Sequence, residues 1–152
     1  IEMKGDTMKI EGGYLIGRAK FLSGRKLNKL FSEYGLTEFN GEQGKILYSL
    51  WKNDGLSSTD LSLETGLAIN TLTNMLTKME HSDLIYRKMS NIDKRRKYVF
   101  LTDKGKLLES KSKIATDKMI DIFYKDFSIQ EIETFESMLR KIISNLEDED
   151  DK

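Results

Sequence analysis

The sequence predicts a mostly α-helical fold that carries one small antiparallel β-hairpin. Apolar residues recur at helical spacing through most of the 152 residues. Two short runs rich in β-branched and aromatic residues, 84–87 and 98–101, flank a charged turn at 91–97, which is typical of a hairpin. Because the chain has no proline and no low-complexity linker, we expect a single domain over residues 1–152.

A long helix is predicted over residues 10–34. Its apolar positions keep near-helical spacing up to Gly35, and a glycine just past the last periodic residue is a common helix end. These positions are Leu15, Ala19, Leu22, Leu27, Leu30, Phe31 and Tyr34. Residues 1–7 are left out of the fold prediction because the chain opens on Ile1 rather than on methionine.

Two shorter helices are predicted next. Asn40 and Gln43 form a capping box for the first, which ends at a turn over residues 53–55. The residues that this helix would bury are Ile46, Leu47, Leu50 and Trp51. Either Ser57 or Ser58 caps the second helix, and a turn that contains glycine leads from it into the following one.

The helix predicted over residues 70–81 has two unlike faces. Leu72, Met75, Leu76 and Met79 share its apolar face. The opposite face carries short polar side chains and one lysine, which can meet base edges in DNA. These candidate DNA-binding residues are Asn70, Thr71, Thr73, Asn74, Thr77 and Lys78.

The turn of the hairpin carries Asp93 followed by four consecutive cations, Lys94, Arg95, Arg96 and Lys97. A polar-faced helix followed by a cationic hairpin is what a winged helix-turn-helix requires. The helix enters the major groove, and the hairpin tip, or wing, reaches the DNA backbone or the neighbouring minor groove. The alternative interpretation of such a charge run is a solvated surface loop.

The chain beyond the hairpin predicts two long helices. Thr102 is the expected N-cap of the first, which reaches about residue 124, and Ser128 with Glu131 forms a capping box for the second. Apolar residues in the second helix are three and four positions apart, at Ile132, Phe135, Leu139, Ile142 and Leu146. The acidic residues 147–151 are expected to fray. Long amphipathic terminal helices exceed what one small winged helix can cover, which predicts an isologous homodimer.

The net charge of the chain is zero, but the charge is unevenly distributed. Residues 45–106 hold 11 basic and 7 acidic groups, whereas residues 107–152 hold 7 basic and 12 acidic groups. The excess positive charge therefore lies in the segment that predicts DNA binding, and double-stranded DNA is the expected partner.

Composition argues against several classes of function. The chain has no cysteine and a single histidine, His81, which argues against disulfides, thiol chemistry and a zinc site. It contains no glycine-rich phosphate loop and no nucleophile–base pair, so we expect neither an enzyme nor a bound cofactor or metal. No apolar run approaches the roughly 18 residues of a membrane span, and we expect a cytoplasmic protein without a membrane partner.

Four segments together form a recognisable pattern. They are Gly35-Leu36-Thr37, Gln43…Ile46-Leu47…Leu50, Asp60-Leu61…Gly66-Leu67…Asn70-Thr71-Leu72-Thr73 and Asp93-Lys94-Arg95-Arg96…Val99-Phe100-Leu101-Thr102…Gly105. This pattern resembles the multiple-antibiotic-resistance regulator (MarR) family of winged helix-turn-helix regulators. The resemblance covers roughly residues 10–146, and its most specific part is the wing signature, Asp-x-Arg before a strand that ends in Leu-Thr-x-x-Gly.

The resemblance implies a homodimeric repressor or activator. Residues 10–36 and 103–147 would form the dimerisation helices, and residues 40–102 the DNA-binding lobe. It also implies that Asp93 holds Arg95 or a neighbouring wing cation in position. In many members a small aromatic or anionic ligand modulates DNA affinity. Candidate residues for such a ligand here are Tyr14, Phe21, Tyr48 and Trp51, with packing in the core as the alternative.

Three positions depart from the family pattern. Asn74 stands where many members carry arginine, and asparagine favours adenine where arginine favours guanine. Ala68 has no side-chain oxygen for capping, so Asn70 or Thr71 is expected to cap the helix instead. Asp83 replaces a usual glycine, and aspartate tolerates the left-handed conformation that this position would require.

A second class of function is a winged-helix module that binds protein rather than DNA. Such a module would display large apolar residues on the outer face of the 70–81 helix. The polar residues predicted on that face favour the DNA-binding interpretation.

Overall fold

The computed structural model of the chain describes residues 9–150. Residues up to Met119 belong to one compact unit, and residues from Ile120 onward belong to a second. The elements are, in order, α1 (Gly12–Glu33), α2 (Gly41–Lys52), β1 (Leu56–Ser57), α3 (Ser58–Thr65), α4 (Ile69–His81), β2 (Ile85–Met89), β3 (Lys97–Leu101), α5 (Asp103–Phe123) and α6 (Ile129–Asp150). Within residues 9–150 no helix is both long and apolar enough to cross a membrane.

The predicted side-chain caps at the starts of α2, α3 and α5 are confirmed. Asn40 and Gln43 cap α2 reciprocally, with the Gln43 N–H donating to Asn40 Oδ1 at 2.9 Å. Ser57, rather than Ser58, caps α3. Thr102 Oγ1 accepts the Gly105 N–H at the start of α5. These bonds satisfy backbone N–H groups that have no partner inside the helix, and therefore fix where each helix begins.

The small sheet is antiparallel, with the strand order β1-β3-β2. Strands β2 and β3 pair from Ile85 with Leu101 to Met89 with Lys97. Strand β1 lies on the other side of β3, where Leu56 faces Val99. The sheet therefore ties the start of α3 to the base of the hairpin.

Three details of the sequence prediction are wrong. Helix α4 begins at Ile69 with Ala68 as its N-cap, so Asn70 and Thr71 lie inside its first turn and neither caps it. Strand β2 starts at Ile85, one residue later than expected. Asp83 adopts a left-handed conformation with φ 60°, and Leu84 leads out of that turn before the strand begins. Strand β1 was not expected at all, since two residues show no periodicity.

The acidic end of the chain is a further difference from the prediction. Helix α6 continues to Asp150 rather than fraying after Leu146. No glycine or proline interrupts this stretch, and glutamate is a good helix former. Residue 151 lies outside the residues that the structure describes.

The core of the first unit determines how α4 is oriented. Its fully buried side chains come from α2, α3, α4 and the sheet, and they include Ile46, Leu47, Leu50, Leu61, Leu72, Leu76, Met79, Leu84, Ile85 and Val99. Burying aliphatic side chains of this size contributes about 1.5–3 kcal/mol each. Three of them belong to α4, so this helix cannot rotate without exposing them.

A close backbone crossing joins α5 to the end of the turn that follows α4. A Cβ on Gly105 would overlap the carbonyl oxygen of Leu84, so only glycine fits there. The same Leu84 oxygen accepts the Thr102 N–H at 3.1 Å, and the Thr102 hydroxyl donates to the Asp83 carbonyl at 2.6 Å. The start of α5 is thus held against the residues that leave α4.

The second unit is organised around aromatic side chains. Phe123, Tyr124, Phe127 and Phe135 make edge-to-face and tilted ring contacts, with centroids 4.9–6.4 Å apart. The Tyr124 hydroxyl donates to Glu136 Oε1 at 2.8 Å. Burial, followed by this bond to Glu136, raises the pKa of Tyr124. Ser128 and Glu131 form the predicted capping box at the start of α6.

Candidate nucleic-acid interface

Helix α4 exposes one polar face because its apolar face is held in the core. Leu72, Leu76 and Met79 are fully buried, and Met75 packs against the same core. All six predicted DNA-binding residues of this helix are exposed, namely Asn70, Thr71, Thr73, Asn74, Thr77 and Lys78. An exposed polar helix face of this kind is suited to the major groove of DNA.

Two threonines on this face use their hydroxyl protons inside the helix. Thr73 Oγ1 donates to the Ile69 carbonyl at 2.9 Å, and Thr77 Oγ1 donates to the Thr73 carbonyl at 3.0 Å. In contrast, the side chains of Asn70 and Asn74 have no hydrogen-bond partner among residues 9–150. The two amides therefore keep their full donor and acceptor capacity for a ligand.

An ion pair joins α4 to strand β2. Arg87 Nε lies 2.9 Å from Glu80 Oε2, and Arg87 Nη2 lies 3.4 Å from both Glu80 Oε1 and Thr77 Oγ1. The side-chain hydrogen bond from Arg87 lowers the pKa of Glu80. This contact has no signal in the sequence, because the two partners lie on different elements and share no local pattern.

The wing tip is ordered by short-range hydrogen bonds. Ser90 Oγ accepts the N–H groups of Ile92 and Asp93 at 3.1 and 3.2 Å. Asp93 Oδ1 accepts the Arg95 N–H at 3.0 Å and Arg95 Nε at 3.3 Å, which is the contact expected from the wing signature. The Arg95 side chain remains 92% exposed. Asp93 therefore holds the backbone and the Nε of Arg95, while the rest of the side chain is exposed to solvent.

The wing base and the start of α3 enclose a polar cleft of about 360 Å³. Its lining residues are Ser57, Ser58, Thr59, Asp60, Arg95, Arg96, Lys97 and Tyr98. Lys94, Arg96 and Lys97 form no ion pair with any residue in the range 9–150. Hydroxyl and cationic donors at one cleft are suited to a DNA phosphate. Sequence reasoning missed the α3 side of this cleft, since only strand β1 brings it to the wing.

A second cavity, of about 350 Å³, lies between α1, α2 and α5 in the first unit. Tyr48 and Trp51 line it, together with Phe31, Phe39 and Lys45. Phe39 stands edge-on to both Phe31 and Trp51. The lining also carries the carboxylates Glu42 and Glu64, and Lys45 lies 3.2 Å from Glu42, so the cavity combines aromatic walls with charges of both signs, which is suited to a small aromatic molecule.

The structure separates the four aromatic residues that the sequence grouped as ligand candidates. Tyr48 and Trp51 line this cavity, whereas Tyr14 and Phe21 are outside its lining and are 69% and 58% exposed. Trp51 Nε1 also donates to the Gly105 carbonyl at 2.9 Å. The cavity wall is thereby bonded to the backbone crossing that holds α5 against the end of α4.

The sequence is similar to known DNA-binding regulators over the elements that form this interface. Residues 39–97 match the family model described as the MarR family, a span that begins just before α2 and ends at the first residue of β3. The chain is 29% identical over 125 residues to the HTH-type transcriptional regulator MgrA of Staphylococcus aureus, and the match covers 82% of each protein.

Two solved structures of similar fold contain DNA. The S. aureus MepR–DNA complex shares 26% identity with a TM-score of 0.77, over 90% of this chain and 99% of that one. A mutant MarR from E. coli in complex with operator DNA shares 25% identity with a TM-score of 0.78, over 88% and 94% of the two chains.

Proposed function

We propose that the chain is a transcriptional regulator of the MarR family, whose model matches residues 39–97, and that it represses transcription as a homodimer on an inverted-repeat DNA operator. It is a regulator rather than an enzyme. A dimer seated on an operator blocks access to the promoter, which is why we propose repression as the sign of control. Because genomic DNA is its proposed partner, we expect it to act in the cytoplasm.

The observation that carries this proposal is the exposed polar face of α4 beside a cationic wing. Asn70, Thr71, Thr73 and Asn74 would contact base edges, and Thr77 would extend the same surface. Phosphate contacts would come from Lys78 and the wing cations Lys94, Arg96 and Lys97, while Arg95 would insert into the minor groove. The DNA-bound structures of MepR and E. coli MarR support this assignment at the level of the fold.

Dimerisation is proposed from the apolar side chains that each unit leaves exposed. In the first unit α1 exposes Tyr14, Leu15 and Phe21, and in the second α6 exposes Ile143 and Leu146. Large apolar side chains left exposed along a helix are typical of an interface. A two-fold dimer would set two copies of α4 about 34 Å apart, one helical turn of DNA.

We propose that a small aromatic or anionic molecule in the cavity lined by Tyr48 and Trp51 weakens DNA binding. Such a ligand must bind the state that releases DNA more tightly than the state that holds it. The hydrogen bond from Trp51 to Gly105 offers a physical connection from the cavity to the end of α4.

The DNA-binding proposal is tested by selecting duplexes from a random-sequence pool with the purified protein. We expect enrichment of an inverted repeat whose half-sites are about 10 base pairs apart. Binding should also weaken steeply as salt concentration rises, because bound counterions are released from phosphates. A pool without any enriched motif would contradict sequence-specific binding and favour the protein-binding module instead.

The ligand proposal is tested through Trp51, the single tryptophan of the chain. Titration with aromatic carboxylates should change its fluorescence and release bound operator over the same concentration range. The variant Tyr48→Ala should weaken both effects together, because this side chain lines the cavity. If a broad set of small molecules changes neither signal, the cavity is not an effector site.

A further inference from the structure

The outer face of α4 carries two side-chain amides one helical turn apart. Asn70 and Asn74 are at positions i and i+4, so both point away from the buried side formed by Leu72 and Leu76. Both are exposed, and within residues 9–150 neither amide forms a hydrogen bond. They lie in the N-terminal half of the helix, the part that contacts base edges in helix-turn-helix proteins.

Two of the three threonines on this face are not free to donate a hydrogen bond to a base, whereas the Thr71 hydroxyl has no partner within residues 9–150. Thr73 and Thr77 give their hydroxyl protons to the carbonyls one turn earlier. The oxygen of Thr77 also lies within hydrogen-bond distance of Arg87 Nη2. What these residues offer outward is chiefly a methyl group, which suits the C5-methyl of thymine.

This donor pattern discriminates between purines. Adenine presents an acceptor at N7 and a donor at N6, which match the amide nitrogen and oxygen of asparagine. Guanine presents two acceptors, N7 and O6, so one of them would face the amide oxygen. The usual bidentate readers of guanine are arginine and lysine. Lys78 is the single lysine or arginine of α4, and it lies beyond both amides toward the C-terminus.

The spacing of the amides limits which base pairs they can reach. One helical turn advances about 5.4 Å, whereas successive base pairs are about 3.4 Å apart. Two amides one turn apart along the groove therefore reach base pairs that are adjacent or separated by one other pair.

We infer that each operator half-site contains two A·T pairs, adjacent or separated by one pair, whose adenines are read by Asn70 and Asn74. The inference rests on the proposed function and deepens it, because it names the bases that the regulator selects. The threonine methyls favour thymine at the positions between and beside these adenines.

Parallel selections from one random pool test the assignment. The wild-type protein should enrich two adenines per half-site, Asn70→Ala should lose enrichment at one of them, and Asn74→Ala should lose it at the other. The comparison variant Lys78→Ala should retain the motif and bind all duplexes more weakly, as expected for a phosphate contact. Because both asparagines are exposed and unbonded, and alanine is the better helix former, neither alanine variant should lower the unfolding temperature.

Modified bases test the same contacts without selection. Replacing each adenine in turn by 7-deazaadenine removes the N7 acceptor, and with it one of the two hydrogen bonds, and should weaken wild-type binding roughly 2- to 13-fold. The same replacement should leave the affinity of the matching alanine variant unchanged. Guanine enriched at these positions, or alanine variants that keep the wild-type motif, would overturn this inference while leaving the proposed function intact. Failure of the wild-type protein to enrich any motif would overturn both.

Discussion

Arg95 is bonded to Asp93 through its backbone and Nε, and the rest of its side chain is exposed. Holding an exposed cation in this way lowers the entropy that it loses on binding. The arrangement suits insertion into a narrow minor groove, where the potential of the phosphates attracts arginine.

We predict that Arg95→Ala weakens binding to operator and to scrambled DNA by similar factors, because the minor groove carries little base information. The dependence of log affinity on log salt should become shallower by about one phosphate per subunit. Binding isotherms at several salt concentrations measure both effects. Arg95→Lys is the matched variant, since it keeps the charge and should retain most of the salt dependence. An unchanged affinity and slope for Arg95→Ala would mean that the wing is only a solvated loop.

A second prediction concerns the stability of the backbone crossing at Gly105. Gly105→Ala should lower the free energy of unfolding by about 1–3 kcal/mol, because its Cβ would overlap a backbone oxygen that cannot move aside easily. The control is Lys106→Ala at the neighbouring exposed position of α5, which should have little effect. Chemical denaturation of the two variants makes the comparison, and equal stabilities would show that α5 adjusts without cost.

At the scale of elements, one ion pair connects the helix that would read bases to the wing that would contact the backbone. Arg87 on β2 donates from Nε and Nη2 to the two carboxylate oxygens of Glu80 on α4. The Arg87 side chain is more buried than that of Glu80. A partly exposed pair of this kind contributes little to stability, about 0.2–1 kcal/mol. Its larger effect is geometric, because it limits how β2 and α4 move relative to each other.

The pH dependence of stability should report this ion pair. Arg87 keeps the pKa of Glu80 below its usual value of 4.5, so the folded state holds this proton less tightly than the unfolded state. The contribution is therefore fully present above about pH 4.5 and is lost as the pH falls through the lowered pKa. We predict that Glu80→Gln is less stable than wild type at pH 7 by about 0.2–1 kcal/mol, with the difference shrinking toward pH 3.

Denaturation at both pH values checks this prediction. Glu131 also has a lowered pKa, because it accepts the backbone N–H of Ser128, but it contributes equally to the wild type and the variant. A stability difference between the two proteins that stays constant from pH 7 to pH 3 would contradict a charge-dependent contact.

At the scale of the whole molecule, local chemistry explains which features the sequence could predict. The capping boxes of α2 and α6 depend on residues three positions apart, so pattern alone identified them. Strand β1 and the Arg87–Glu80 pair depend on how distant segments fold together, and they carry no local pattern. The cavity shows the same limit. Of the four aromatic residues grouped from the sequence, Tyr48 and Trp51 line it and Tyr14 and Phe21 do not. Its α1 and α5 walls are set by tertiary structure and have no local pattern.

The terminal helices carry the last prediction, which concerns assembly. We expect sedimentation at micromolar concentration to give twice the 17.6 kDa mass of one chain. Replacing Ile142 and Leu146 on α6 by glutamate should weaken the dimer by at least about tenfold, because charge is then placed on an apolar interface. The matched control is Leu63→Glu, on the 79% exposed leucine of α3, which should remain dimeric. Since two half-sites gain affinity only through a connected dimer, the α6 variant should also lose operator binding. A wild-type protein that sediments as a monomer, or an α6 variant that remains as dimeric as Leu63→Glu, would show that these helices do not form the interface.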